Sequence, residues 1–172
     1  MFSRRSKLYL ILVLLGCSLI SYNFVTTESQ YRPESQSVTE EENFLVVIDP
    51  GHGGVDSGAV GANGVEEKEV TLSIAKLIAN KARHYGSIEV TLTRGDDVYI
   101  HPYDRTKFAN SRGADAFISI HADSFHDPSV GGTTSYVANS SGNGSPSLAR
   151  TLQGEIASKW MMRDRGVKNS GY

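Results

Sequence analysis

From residue 44 onward, short β-branched runs take turns with longer stretches whose apolar residues recur every three or four positions. Phe44 to Asp49 carries Val46, Val47 and Ile48 with no polar interruption, the pattern of a strand buried on both faces, and Pro50 followed by glycines stops it. Glu66 to Tyr85 sets Val70, Ile74, Leu77 and Ile78 at helical spacing and predicts a helix that Gly86 closes. Ile88 to Thr93 alternates as a strand, Arg94 to Asp97 turns, and Pro102 opens a second helix. Arg105 and Asn110 on that helix read as solvated polar positions. Asp115 to Ile120 is another apolar strand and runs into His121. Gly132 to Ala138 reads as a strand, Asn139 to Ser145 as a polar turn, and Ser147 to Met162 as a helix with Leu148, Leu152, Ile156 and Trp160 on one stripe. A helix that crosses a sheet normally feeds another strand, and after Arg165-Gly166-Val167 only a few residues remain before Tyr172.

Strands alternating with helices predict an α/β fold, a three-layer αβα domain on a mostly parallel sheet with its last strand or strands missing. The domain is expected over residues 44–172. Before it, Ser3-Arg4-Arg5-Ser6-Lys7 followed by the apolar run Leu8 to Tyr22 has the layout of a signal peptide or amino-terminal membrane anchor over residues 1–25. Leu14-Leu15-Gly16-Cys17 adds the outline of a bacterial lipoprotein processing site. Residues 26–43 are rich in Ser, Thr, Gln and Glu and read as a flexible linker. The expectation is an exported protein of the cell envelope, touching membrane through this segment only.

Composition narrows the chemistry. A net charge of −2 without a basic stripe gives no footprint for nucleic acid. The single cysteine, Cys17, lies in the leader, so any metal in the folded part must be held by His, Asp or Glu. Two strands end in histidines, His52 in a glycine-rich loop and His121 in Ser119-Ile120-His121-Ala122-Asp123. Ends of core strands are where open α/β sheets place ligands. Between them Glu66, Glu67 and Glu69 open a helix; the helix dipole alone accounts for any one of these. Two histidines and one such carboxylate at one sheet edge would make a zinc site of the open, hydrolytic kind. Of the other histidines, His84 ends a helix, His101 precedes Pro102, and His126 is the one competing ligand. The loop from Pro50 to Gly64 holds six glycines, and loops this long inside compact domains are usually functional.

In order along the chain, Asp49-Pro50-Gly51-His52-Gly53-Gly54, Asn63-Gly64 with Glu67-Lys68, Thr93-Arg94, Arg105 with Ala109-Asn110, Ser119-Ile120-His121-Ala122-Asp123, and Asp164-Arg165-Gly166-Val167-Lys168 resemble the zinc-dependent N-acetylmuramoyl-L-alanine amidases. The resemblance implies a Zn2+ ion held by His52, Glu67 and His121, with Glu66 the rival to Glu67. It implies peptidoglycan as substrate, cut between the muramoyl lactyl group and the first L-alanine of the stem peptide. Asp123, two residues beyond His121, would support a ligand histidine or stand in as a weak base. The family pattern continues into a strand that leads to a catalytic glutamate, and this sequence stops at Tyr172 before it. No residue here inherits that role, so the expectation is a domain that binds zinc and hydrolyses poorly, the alternative being zinc or peptidoglycan binding without turnover. Some such amidases carry a long insertion near Asn139 that blocks the cleft; the short turn here leads us to expect no autoinhibitory insertion.

Overall fold

The computed structural model describes residues 43–123, 130–139, 142 and 144–170. The expected leader 1–25, the linker up to residue 42 and His126 lie outside the described residues, as do Ser140, Ser141 and Asn143 of the polar turn. Among the described residues no helix is long and apolar enough to cross a membrane.

The fold is α/β, with strands β1 (Phe44–Pro50), β2 (Ile88–Leu92), β3 (Ala116–Ile120), β4 (Thr133–Ala138) and β5 (Asp164–Ser170), and helices α1 (Glu67–Ala82), α2 (Pro102–Ser111) and α3 (Ser145–Lys159). β1 lies between β2 and β3, and both pairings are parallel. This central position explains the uninterrupted apolar run: Val47 and Ile48 are buried, each contributing about 1.5–3 kcal/mol relative to exposure. Asp49 follows them into the interior, where Thr93 donates from one flank at 2.5 Å, Ser119 from the other at 2.8 Å, and Arg105 pairs with it at 2.9 Å.

Two sequence expectations change here. The few residues after the last helix do form a strand, β5, parallel to β4. Its sequence, Asp-Arg-Gly-Val-Lys-Asn-Ser, has no apolar alternation to announce it. The strands also fall into two parallel ladders rather than one continuous sheet, β2-β1-β3 and β4-β5. Parallel neighbours need a crossover of a dozen or more residues, usually a helix. α3 supplies one between β4 and β5, and among the described residues none stands between β3 and β4.

The helices turn an unexpected face inward. On α1 the buried positions are Glu67, Thr71 and Ala75, spaced four apart, while Ile74, Leu77 and Ile78 of the apolar stripe stay exposed. α3 repeats this with Gln153 and Ala157 buried and Leu148, Ile156 and Trp160 exposed. On α1 the buried Glu67 and Thr71 bond to loop residues at the ends of the strands. Gln153 donates to the Thr133 carbonyl at 2.7 Å and to Asp164 at 2.6 Å, and accepts from Ser135 at 2.9 Å, which ties α3 to both strands of its ladder.

Candidate metal centre

The register of the first sheet decides what meets at its edge. Pro50 pairs with Ile120, so the chain leaves β1 and β3 side by side, and His52 and His121 follow within two residues. His52 sits at φ 61°, in the left-handed region that non-glycine residues seldom occupy. The loop then folds back over the start of α1, whose first free N–H groups it satisfies: Glu67 N–H donates to Ala59 O at 2.8 Å and Lys68 N–H to Ser57 O at 3.2 Å. Glu67 thereby enters between the two imidazoles.

His52 Nε2 lies 3.2 Å and His121 Nδ1 3.1 Å from the same oxygen, Glu67 Oε1. The rings stand edge to face with centroids 4.9 Å apart. One ligating atom from each of His52, Glu67 and His121 can be chosen so that all lie within 4.8 Å of one another. Glu66 does not join them; it pairs with Lys68 at 3.2 Å. Glu69 is exposed on the first turn of α1. The structure thus separates three acidic neighbours, with Glu67 rather than its rival Glu66 between the imidazoles.

Burial pushes the Glu67 carboxyl up, but the N–H groups of Ala59 and Ala122 and the two imidazoles outweigh it, leaving its pKa below the ordinary carboxylate value. Those N–H groups donate to Oε2 at 2.9 Å and to Oε1 at 2.8 Å. A second carboxylate, Asp56, holds the far side of His52, with Oδ2 2.9 Å from Nδ1. That bond, together with the Gly58 N–H, keeps Asp56 below its usual pKa. An ionised carboxylate only accepts, so Nδ1 of His52 donates to Asp56, and in the neutral imidazole the lone pair is left on Nε2, the nitrogen that faces Glu67.

The donor set, two imidazole nitrogens and a carboxylate oxygen, is that of metal sites with an open position, and the trio could hold a metal ion. Glycines shape the space around it. A Cβ on Gly51 would lie 2.5 Å from His121 Cε1, and one on Gly58 2.5 Å from His52 Cδ2 and 2.8 Å from Glu67 Oε2. Asp123 is exposed, and among the described residues it bonds to neither histidine; the carboxylate that bonds a candidate ligand histidine from outside the trio is Asp56, on His52. The signal for Asp56 was its position four residues after a histidine whose second nitrogen needs a partner.

The sequence also understated the basic residues beneath the loop. Arg105 is not solvated but 7% exposed, donating to Pro50 O and His52 O at 2.8 Å each. Arg94 is 2% exposed. Lys68 donates to Gly54 O at 2.9 Å and Asp97 at 2.8 Å, while Asp97 accepts from Gly54 N–H at 2.7 Å. Both polar groups of Gly54 are therefore held.

Comparisons with known proteins return one family repeatedly. A family model described as N-acetylmuramoyl-L-alanine amidase matches residues 46–172. The N-acetylmuramoyl-L-alanine amidase AmiA of Escherichia coli (strain K12) is 46% identical over 108 residues, covering 63% of this chain and 37% of that protein. Its counterpart from Salmonella typhimurium is 40% identical over 127 residues, covering 74% and 43%. The chain thus spans less than half the length of these two curated relatives. Among solved structures, the N-acetylmuramoyl-L-alanine amidase from Clostridium difficile 630 superposes with a TM-score of 0.71 at 37% identity, covering 75% of this chain and 70% of that one.

Proposed function

This chain belongs to the N-acetylmuramoyl-L-alanine amidase family, and on that premise we propose that it hydrolyses the amide between the N-acetylmuramoyl lactyl group and the first L-alanine of the peptidoglycan stem, using Zn2+. The observation that carries the reading is the convergence of His52, Glu67 and His121 around one carboxylate oxygen. In this reading residues 44–172 are the catalytic domain and residues 1–25 direct it to the cell envelope.

His52 would hold zinc through Nε2, His121 through Nδ1 and Glu67 through Oε1, the atoms that face one another. Zinc supplies Lewis acidity and a hydrolytic nucleophile at neutral pH. The chain's own residues do the rest. Asp56 keeps the proton on Nδ1 of His52, so that only Nε2 is available as a donor. Ala59 and Ala122 fix both oxygens of Glu67, which sets their direction before any ligand arrives. His121, with its side chain 44% exposed, stands at the open rim where a glycan strand would approach.

A second reading, binding of zinc or peptidoglycan with little turnover, draws on one observation: both carboxylates at the site are already committed, Asp56 to His52 and Glu67 to two peptide N–H groups. Losing a positioned general acid or base typically costs about 10²- to 10⁴-fold in rate. Purified sacculi incubated with the protein decide between these readings. Release of stem peptides that begin with L-alanine, abolished by a chelator and by His52→Ala, is expected. L-alanine left on the glycan would make the enzyme a stem peptidase, and sedimentation with sacculi without release would support the binding reading.

A further inference from the structure

Arg94 is buried, yet the only oxygens it bonds are backbone carbonyls and one hydroxyl among the described residues. Its Nε donates to Pro50 O at 3.1 Å, Nη1 to Asp96 O at 3.1 Å, and Nη2 to Gly51 O at 2.8 Å, Lys68 O at 2.9 Å and Thr71 Oγ1 at 3.3 Å. A buried guanidinium without a carboxylate partner has lost its hydration and regained it only as peptide dipoles. Such an arrangement persists where the dipoles need a cation as much as the cation needs them.

The choice of carbonyls is specific. Gly51 immediately precedes His52, and Lys68 immediately follows Glu67. A single nitrogen of Arg94 therefore joins the residue before one candidate ligand to the residue after another, at the point where the loop after β1 passes the first turn of α1. Thr71, one turn further along α1, closes the same link by donating to Gly51 O at 2.9 Å. Pro50 and Asp96 fasten the guanidinium to the end of β1 and to the β2–α2 loop.

We propose that Arg94 is a positioning residue for the metal site: its guanidinium, with the Thr71 hydroxyl, sets the separation of His52 from Glu67 and so prepares the pair for zinc. The inference rests on the reading of His52, Glu67 and His121 as zinc ligands. Lysine cannot replace it, since an ammonium has three donors on a flexible stem and no planar fork to span Pro50, Gly51, Lys68 and Asp96 together.

The test uses the full chain and its Arg94→Lys and Thr71→Val variants. Zinc affinity is read by competition with a chromophoric chelator, and the ligand field by the visible absorption of the Co2+-loaded protein. Folding of the metal-free forms is followed by circular dichroism. Arg94→Lys is expected to fold and to lose about 10- to 100-fold in zinc affinity, with a changed Co2+ spectrum, as for other residues that orient ligands. Thr71→Val should move both readouts the same way by less. Wild-type affinity and spectrum in Arg94→Lys, with only the metal-free melting temperature lowered, would make Arg94 a structural residue and overturn the proposal. If Arg94→Lys does not fold, an unchanged affinity in Thr71→Val overturns it equally. A wild-type chain that binds no zinc would instead remove the reading of the site itself, and this role with it.

Discussion

Gly51→Ala isolates the geometry of the trio from everything else. Residue 51 does not lie in the left-handed region, so alanine fits its backbone, but the new Cβ would stand 2.5 Å from Cε1 and 2.8 Å from Nδ1 and Nε2 of His121. One of the two must move. The backbone of Gly51 is fixed by its N–H to Ile120 O at 2.9 Å and by Thr71 and Arg94 on its carbonyl. The imidazole is held by one bond to Glu67 and its side chain is 44% exposed, so the ring swings outward. Overpacking an interior costs about 1–3 kcal/mol, and a ring free to leave brings the cost to the lower end of that range. The metal site fares worse because one of its three donors has gone. Taking a 100-fold loss of affinity, and zinc at 100 times the wild-type Kd, the stabilisation RT ln(1 + [L]/Kd) falls from about 2.7 to about 0.4 kcal/mol. Thermal melts with zinc and with chelator measure this directly: wild-type protein should gain several degrees from the metal, the variant under one or two. Equal gains in both proteins would refute the claim that His121 must occupy its observed place.

Asp56→Asn should weaken zinc binding by about 10- to 100-fold, because the amide can offer an N–H to Nδ1 and favour the wrong tautomer of His52; chelator competition reads the loss. Gln153→Ala removes the buried amide that joins α3 to β4 and β5 and leaves the Thr133 carbonyl and Ser135 hydroxyl short of a partner. Urea unfolding should show about 2–3 kcal/mol of lost stability. The Asp164 carboxyl is held below its ordinary value of 3.8 by the Gln153 amide and then by Gly166 N–H. A depressed carboxylate stabilises the fold above its unfolded pKa and loses that contribution as pH falls from there through the folded value. Melting temperatures should therefore drop more steeply below about pH 4 in wild-type protein than in Asp164→Asn, and parallel curves would contradict the assignment.

The scaffold was legible because its signals are local. Three β-branched residues stopped by Pro50, a proline at the first turn of α2, and strands running into His52 and His121 each declare themselves within a few positions. Glu67 was singled out by family resemblance, and the bonds of Ala59 and Ala122 to its carboxylate, with Glu66 turned to Lys68, are the physical reason that it and not Glu66 lies between the two imidazoles. What stayed hidden depends on convergence from afar. Arg105 looked solvated because nothing near it in sequence asks for a cation; the request comes from Asp49, Pro50 and His52. The available signal was the glycine-rich loop itself, whose carbonyls have no strand partners and must be satisfied from outside. The inward face of α1 was concealed likewise: apolar periodicity pointed to Ile74 and Ile78, whereas Glu67 and Thr71 are turned in by bonds to the loop.

The left-handed turn at residue 52 sets conformational preference against chemistry at a single position. A side chain with a Cβ gives up about 1–2 kcal/mol in that region, which glycine would recover and asparagine in part. Mutation filtered for foldability alone would therefore erode this ring early. A descendant that kept the scaffold but no longer met selection for hydrolysis should carry Gly or Asn here, which makes position 52 the place to look when sorting working copies from relics.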